Sequence, residues 1–348
     1  MIRPHVRPLI RAFSDSALPA HDLLDDAINL LGVEPRHYWD FTQNRALFAG
    51  VDVGPVASTP GWSFARATTA NYHNSGGSLT SFASGAPRLG SRGLLVEAAR
   101  TNLFLNSDTG ATQGVTVTAA AHTLSFYGTG TITLSGASTA GPLVGTGVND
   151  RVSLTFTPSA GTLTCTISGT CTNVQLELGT GASSYISTAG ASVTRNADVA
   201  IVSSPGVNYP LTLFVEYEPF LILSAGATTL RMDDGTNNER MALSLSSGNI
   251  PRCQTATGGV SQADITIGSA IVAGSIYKHA SCANTNRVQA ARNGTLGTED
   301  TVGTLPLTPT TLRFGSNEVS VTQPFAFIRR AAVFNSALSD ANLQTATS

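Results

Sequence analysis

The residues with the strongest chemical claim lie in "GLLVEAARTNLFLNS", residues 93–107, where Glu97, Arg100 and Asn102 interrupt an apolar run. A carboxylate beside a guanidinium in such a run is a reactive acid, a ligand contact or an internal clamp. On a regular strand, residues three apart face opposite ways. Contact between Glu97 and Arg100 therefore needs a bend, or each takes another partner, such as Arg66 or Arg88 for Glu97. A buried charge without a partner is costly, and an Asn side chain can cap backbone groups at a bend. Arg66, Glu97, Arg100 and Asn102 are accordingly read as a structural clamp in preference to a ligand site.

Hydrolysis of a glycosidic bond uses two carboxylates flanking that bond. The closest arrangement here is "FVEYEPF", where Glu216 and Glu218 share one face of a strand and Val215 and Tyr217 take the other. Pro219 follows at once, which suggests a strand end, so the two acids are expected to form the wet face of a half-buried strand. The six histidines, at 5, 21, 37, 73, 122 and 279, are scattered. There is no G-x-S-x-G elbow, H-E-x-x-H pair, P-loop or G-x-G-x-x-G turn. These patterns argue against an enzyme, and no catalytic residue is assigned.

Sugar binding asks for aromatic faces against C–H-rich sugar faces, with a few polar groups fixing the hydroxyls. The candidates are Tyr72, His73 and Asn74 on one hairpin, Phe126 and Tyr127 on a later strand, and Asp233, Asp234, Asn237 and Asn238 in "RMDDGTNNER". Against each stands a plainer role: aromatic residues in strands fill cores, and Asp/Asn-rich loops make turns. The last loop offers oxygens of the kind Ca²⁺ takes, but its spacing is not that of an EF-hand. A hairpin turn at Gly235 is preferred, and no cofactor or metal is expected. Of the four cysteines, Cys165 and Cys171 flank Ser168-Gly169, which has the composition of a hairpin turn. Two reduced thiols are preferred there to a disulfide.

The elements that must position these groups follow from pattern and composition. Charged residues are only 12% of the 348, and a single lysine, Lys278, accompanies 34 glycines. The net charge of −2 gives no general drive toward nucleic acid or an anionic membrane. No window approaches the ~20 apolar residues that span a bilayer, and the opening "MIRPHVRPLIRAF" lacks the apolar stretch of a secretory signal. Arg3, Arg7 and Arg11 lie in that basic arm. "SALPAHDLLDDAINLLGVEP" then places Leu23, Leu24, Ala27, Ile28, Leu30 and Leu31 at helical spacing before Gly32 and Pro35. The segment is either an anchor onto a larger assembly or a helix covering one end of the first β domain. From about residue 51, short period-two strands recur with Gly-centred turns, the pattern of an antiparallel sandwich or jelly roll. The fold class is mostly β: an N-terminal arm and helix, then two antiparallel β-sandwich (jelly-roll-like) domains.

Three blocks carry a family resemblance. "FARATTANYHNSGG…APRLG…GLLVEAARTNLFLNS" resembles a unit of tailed-phage fibre and head-spike proteins and of gene-transfer-agent spikes. "LSFYGTGTITLSG…VQLELGTGASSYISTAGASVTRNADV" resembles the carbohydrate-binding sandwich that follows it there. "DGTNNERMALSL", "ARNG" and "FIRRAAVFNSALSDANLQ" are similar to a concanavalin A-like (laminin G-like) sandwich. Together the blocks span about residues 60–348. The resemblance implies a carbohydrate-binding sandwich with its leading hairpin over 56–200 and a concanavalin A-like sandwich over 201–348; residues 1–55, which it does not cover, are expected to be the N-terminal arm and helix that anchor the chain to the virion. The resemblance also implies a homo-oligomeric spike or fibre on the virion surface, made in the host bacterial cytoplasm, that binds host capsule or lipopolysaccharide glycan. Other virion proteins would be met through the N-terminal region. A decoration or connector protein without glycan binding, and a capsule depolymerase, are the alternatives.

Overall fold

The computed structural model describes residues 26–74, 78–222, 226–319 and 322–348. The arm with Arg3, Arg7 and Arg11 lies outside these residues, as do Leu23 and Leu24. The chain is mostly β, and the strand pairs that build its sheets are antiparallel. None of the described helices is long and apolar enough to cross a membrane.

Two sandwiches of unequal size are present. In the larger, a ten-stranded sheet runs in the order Thr295–Leu296, Arg287–Arg292, Tyr277–Asn284, Leu211–Pro219, Ala326–Phe334, His37–Asp40, Arg45–Phe48 and Val51–Gly54. Gly93–Val96 also pairs with the front of Ala326–Phe334 and carries Leu89–Gly90 beside it. The facing seven-stranded sheet is ordered Val260–Thr266, Pro251–Thr257, Arg240–Leu245, Thr228–Asp233, Thr311–Phe314, Val199–Ser203, Trp62–Ala65. Alternation along Leu211–Pro219 explains the layering. Leu213, Val215 and Tyr217 enter the core between the sheets with Trp39, Met232 and Phe314, while Phe214 enters a second cluster on the outer face. Each such buried side chain contributes roughly 1.5–3 kcal/mol. The outer cluster is closed by the C-terminal helix Asp340–Thr347, whose N-terminus is capped by the Ser339 hydroxyl. Ile28 and Leu31 beside the short helix Asp26–Asn29 close it from the other end of the chain.

The smaller sandwich is an insertion. It stacks a four-stranded sheet (Gln113–Val117, Gly161–Ser168, Thr131–Gly136, Leu143–Val144) on a three-stranded one (Gly147–Phe156, His122–Gly128, Cys171–Leu178). The chain leaves the large sandwich through Arg100–Asn102 and returns through Val193–Arg195, which pair with each other.

Three expectations are corrected here. Sheet membership crosses the divisions placed at residues 55 and 200: residues 37–54, 62–65 and 89–96 are strands of the large sandwich. The pairings that tie them into that sandwich reach far along the chain, as for Tyr38 opposite Ala332, Leu95 opposite Phe327 and Phe64 opposite Ala200, and a local pattern carries no trace of such pairing. Ser168-Gly169 does not close a hairpin, because Gly161–Ser168 and Cys171–Leu178 lie in opposite sheets. The chain crosses the sandwich edge there against Gly130, where an added Cβ would stand 2.6 Å from the Ser168 carbonyl oxygen. Glu216 is not on a wet face: its side chain is buried and ion-paired to Arg329 (2.7 Å) and Arg330 (2.9 Å). All four cysteines are buried and free, and burial raises the Cys165 thiol to about 12.

Candidate functional site

The clamp lies where the insertion leaves the large sandwich. Glu97 is fully buried and faces Arg88 at 2.6 Å and Arg195 at 3.6 Å. Burial alone would raise its pKa, but Arg195, Arg88 and two hydrogen bonds from Ser184 outweigh that and hold it at about 2. Arg66 turns instead to Asp198 (3.0 Å), which also takes Arg88 at 2.5 Å and the backbone N–H of Glu97 at 2.9 Å. Arg100 faces the other way, as the strand geometry requires, with its Nε 3.6 Å from Glu177 and its guanidinium over the Phe325 ring. The Asn102 amide donates to the carbonyls of Val174 and Ile186, and its Oδ1 accepts from the N–H of Phe104 and Leu176. Its hydrogen-bonding capacity is thereby filled.

Residues 180–188 follow as an irregular segment, bent at residues 180, 181 and 184, that belongs to no strand. Buried backbone groups must still be satisfied, and side chains replace the missing ladder. Ser183 N–H donates to Glu177 (2.8 Å), Ser184 N–H to Glu97 (2.8 Å), Ile186 N–H to Gln175 (2.7 Å) and Thr188 N–H to Ser107 (2.9 Å). The clamp therefore also fixes one wall of a cleft.

That cleft lies between the two sandwiches, opens to solvent and has a cavity volume of about 140 Å³, smaller than the common range of drug-sized ligand sites. The hairpin strand Ala70–His73 stands between its walls. Successive strand residues point to opposite sides, so Tyr72 reaches Phe327 of the large sandwich (5.9 Å, edge-on) and His73 stacks on Tyr127 of the insertion (4.2 Å). Phe220 packs against Phe327, and Tyr185 lies beside His73. Burial, with Arg151 close by, lowers the His73 imidazole to about 4, so it is neutral at pH 7. The polar groups are Ser183, Ser184 and two arginines. Arg92 projects from the turn before Gly93, where an added Cβ would meet the Ile328 carbonyl oxygen at 2.3 Å. Its guanidinium lies over Phe327 (3.9 Å) and holds Glu218 through Nε (3.3 Å) and a terminal nitrogen (2.6 Å). Arg151 donates to the Ser183 carbonyl (2.5 Å) and the Ser125 hydroxyl (2.9 Å).

Of the residues proposed from sequence, Tyr72, His73 and Tyr127 meet in this cleft. Phe126 does not: it is fully buried in the core of the smaller sandwich, because Tyr127 next to it takes the outward face. Asn74 lies outside the lining and its Oδ1 accepts from Ser78 N–H. Asp233, Asp234, Asn237 and Asn238 are remote from the cleft and make a turn. Asp233 is buried against Arg231 (2.7 Å) and Arg313 (2.8 Å), Asp234 accepts from Thr236, Asn237 accepts from Arg231, and the Asn238 carbonyl accepts from Gly259 N–H. Among the described residues, no three His, Cys, Asp or Glu side chains converge as a metal site. Sequence reasoning missed Arg92, Arg151, Phe220 and Phe327 as cleft residues. Ser183, Ser184 and Tyr185 were noted only as part of a family motif.

No protein-family model and no curated protein matches the chain. Among solved structures, similarity is found to the CBM40 module of a Ruminococcus gnavus IT-sialidase. It has 17% identity and a TM-score of 0.35, over 40% of this chain and 82% of that one. A leech intramolecular trans-sialidase matches at 15% and 0.35, over 39% of this chain and 23% of that one. A Limulus polyphemus SAP-like pentraxin matches at 15% and 0.32, over 40% and 69%. At TM-scores this low the likenesses carry no weight for what this chain binds.

Proposed function

We propose that this chain is a non-enzymatic glycan-binding protein of a virion surface, and that the cleft between its sandwiches is the binding site. The observation that carries the binding reading is the lining itself. Two aromatic groups, Phe220–Phe327–Tyr72 and Tyr127–His73–Tyr185, face a shared space edged by serines and arginines. Flat rings match the C–H faces of a pyranose, and N–H and O–H groups fix its hydroxyls. The virion setting rests on the resemblance of the three sequence blocks to phage fibre and spike proteins. Attachment to the particle is assigned to the N-terminal arm with Arg3, Arg7 and Arg11. Several copies on one particle would raise the effective concentration, so modest affinity at each cleft suffices. No hydrolytic step is proposed, since Glu216 and Glu218 are both held by arginines.

The test is calorimetric titration of the full chain with capsular and lipopolysaccharide oligosaccharides of candidate hosts, alongside Tyr127→Ala. Truncating a central aromatic contact costs about 2 kcal/mol or more, roughly thirtyfold in affinity. Binding that weakens by that order in the variant supports the cleft. Binding to no oligosaccharide, with particle adsorption unchanged by deletion of the protein, would leave a decoration or connector role.

A further inference from the structure

We infer that the ligand of the cleft is an acidic sugar whose carboxylate is seated on the guanidinium of Arg151; the inference rests on the glycan-binding reading above. Two cations line the cleft and they are not equivalent. Arg92 is already neutralised by a two-point contact with Glu218. Among the described residues no carboxylate lies within 4 Å of Arg151, which is held by two neutral acceptors, the Ser183 carbonyl and the Ser125 hydroxyl. A guanidinium has five N–H donors, so three remain without a protein acceptor. One of them, on Nε, is buried with no hydrogen-bond partner. The same holds for Nε of Arg45, Arg88, Arg100, Arg195 and Arg292 among the described residues, so what sets Arg151 apart is its place in the cleft lining with only neutral hydrogen-bond acceptors.

The surroundings favour an anion over another neutral acceptor. No acidic side chain lines the cleft. Glu177, behind Ser183, feels the charge of Arg151 but lies beyond 4 Å of it, and its carboxylate accepts from Gln175 and Ser183 N–H and pairs with Arg100. His73, stacked on Tyr127 close to Arg151, is neutral and adds no competing charge. A carboxylate fits a guanidinium fork at two points, and such charge-assisted pairs are about twice as strong as neutral hydrogen bonds. The stacked pair Tyr127–His73 beside Arg151 supplies a flat apolar surface for the ring that carries the carboxylate. Uronic acids and nonulosonic acids share this chemistry.

The experiment titrates the full chain with trigalacturonic acid and with sialyllactose, each against its carboxyl-reduced form. Each acidic probe that fits is expected to bind at least ~tenfold tighter than its reduced partner. That advantage should shrink between 50 and 500 mM NaCl, be lost in Arg151→Gln and be partly kept in Arg151→Lys. Arg252→Gln, at an exposed pair remote from the cleft lining, should change nothing. The probe comparison and the salt series use the unaltered protein, so they decide even if Arg151→Gln fails to fold. Equal binding of acidic and reduced forms overturns this inference and leaves the glycan reading standing. Failure of all four probes and of the host oligosaccharides overturns both.

Discussion

His279 is fully buried on Tyr277–Asn284, and neither ring nitrogen has a hydrogen-bond partner. Burial, aided by Arg292, lowers its imidazole to about 3. His37 is held at about 4, where burial and Arg36 outweigh its contact with the Pro205 carbonyl. Both values lie below the 6.5 of an unfolded histidine, so on acidification the unfolded chain takes up these protons first. Stability is therefore unaffected by the two groups above pH 6.5 and falls from there to pH 3–4, by about 1.4 kcal/mol per pH unit for each. Glu97 works in a lower window: its depressed pKa stabilises above about 4.5, and that contribution is lost as the pH falls through about 2. Replacing His279 by Leu is expected to raise the melting temperature, more at pH 5 than at pH 8; thermal scans showing an equal gain at both would refute this origin. The same scale shows what was legible beforehand. Tyr72, His73 and Tyr127 were legible as rings of the kind a sugar face stacks on, in a hairpin and on a strand. Phe126, named beside Tyr127 as an aromatic candidate, is a core residue, because on that strand Tyr127 takes the outward face. Arg151 carried no signal at all: its importance lies in the carboxylate it lacks, and a sequence does not show a missing contact.

At the level of elements, the clamp joins the strand Gly93–Val96, the return strand Val193–Arg195 and the unpaired segment 180–188. Three guanidiniums, Arg66, Arg88 and Arg195, here face two carboxylates, Glu97 and Asp198, with every side chain nearly or fully buried. Removing an acid leaves three cations to one anion, whereas removing an arginine evens the count. Leaving buried charge uncompensated costs about 3–5 kcal/mol, so Glu97→Gln is expected to destabilise by that order. Arg195→Met, whose ion contacts are the longest at 3.6 and 3.7 Å, should cost less than half as much. Urea unfolding of the two variants checks the order, and the reverse ranking would contradict the charge count. The Glu–Arg offset left a bend or separate partners open for Glu97 and Arg100, and the structure takes the second, with Glu97 on Arg88 and Arg100 on Glu177. The offset could not supply Arg195 and Asp198, which lie about a hundred residues downstream. Segment 180–188 was equally opaque, because an irregular segment held by the Glu97, Gln175 and Glu177 side chains has no periodicity of its own.

Across the whole molecule, the small sandwich is carried on two paired strands. Asn102 and Val193 are opposite each other in that pair, which places their Cα atoms about 4.5–5.5 Å apart. A chain in which residues 103–192 give way to a short Asn-Gly turn is therefore expected to keep the large sandwich, with a cooperative melt and a β-type circular dichroism spectrum. Its melting temperature should fall, because Ser184 no longer bonds Glu97, and ligand binding should vanish with Tyr127, Arg151 and Tyr185. A non-cooperative melt would mean that the large sandwich depends on the insertion for its fold. The two-sandwich character was readable from strand spacing and turn residues; the nesting of one inside the other was not, since it is decided by which distant strands pair. The nesting also has a mechanical side. The strand leading into the insertion continues from Gly93–Val96 in the ten-stranded sheet, and the one leading out continues into Val199–Ser203 in the seven-stranded sheet. Tension applied through the small sandwich is thus divided between both layers. Asp198, bonded to the Glu97 backbone where the two paths part, is a rivet that keeps a pull from prising the layers apart.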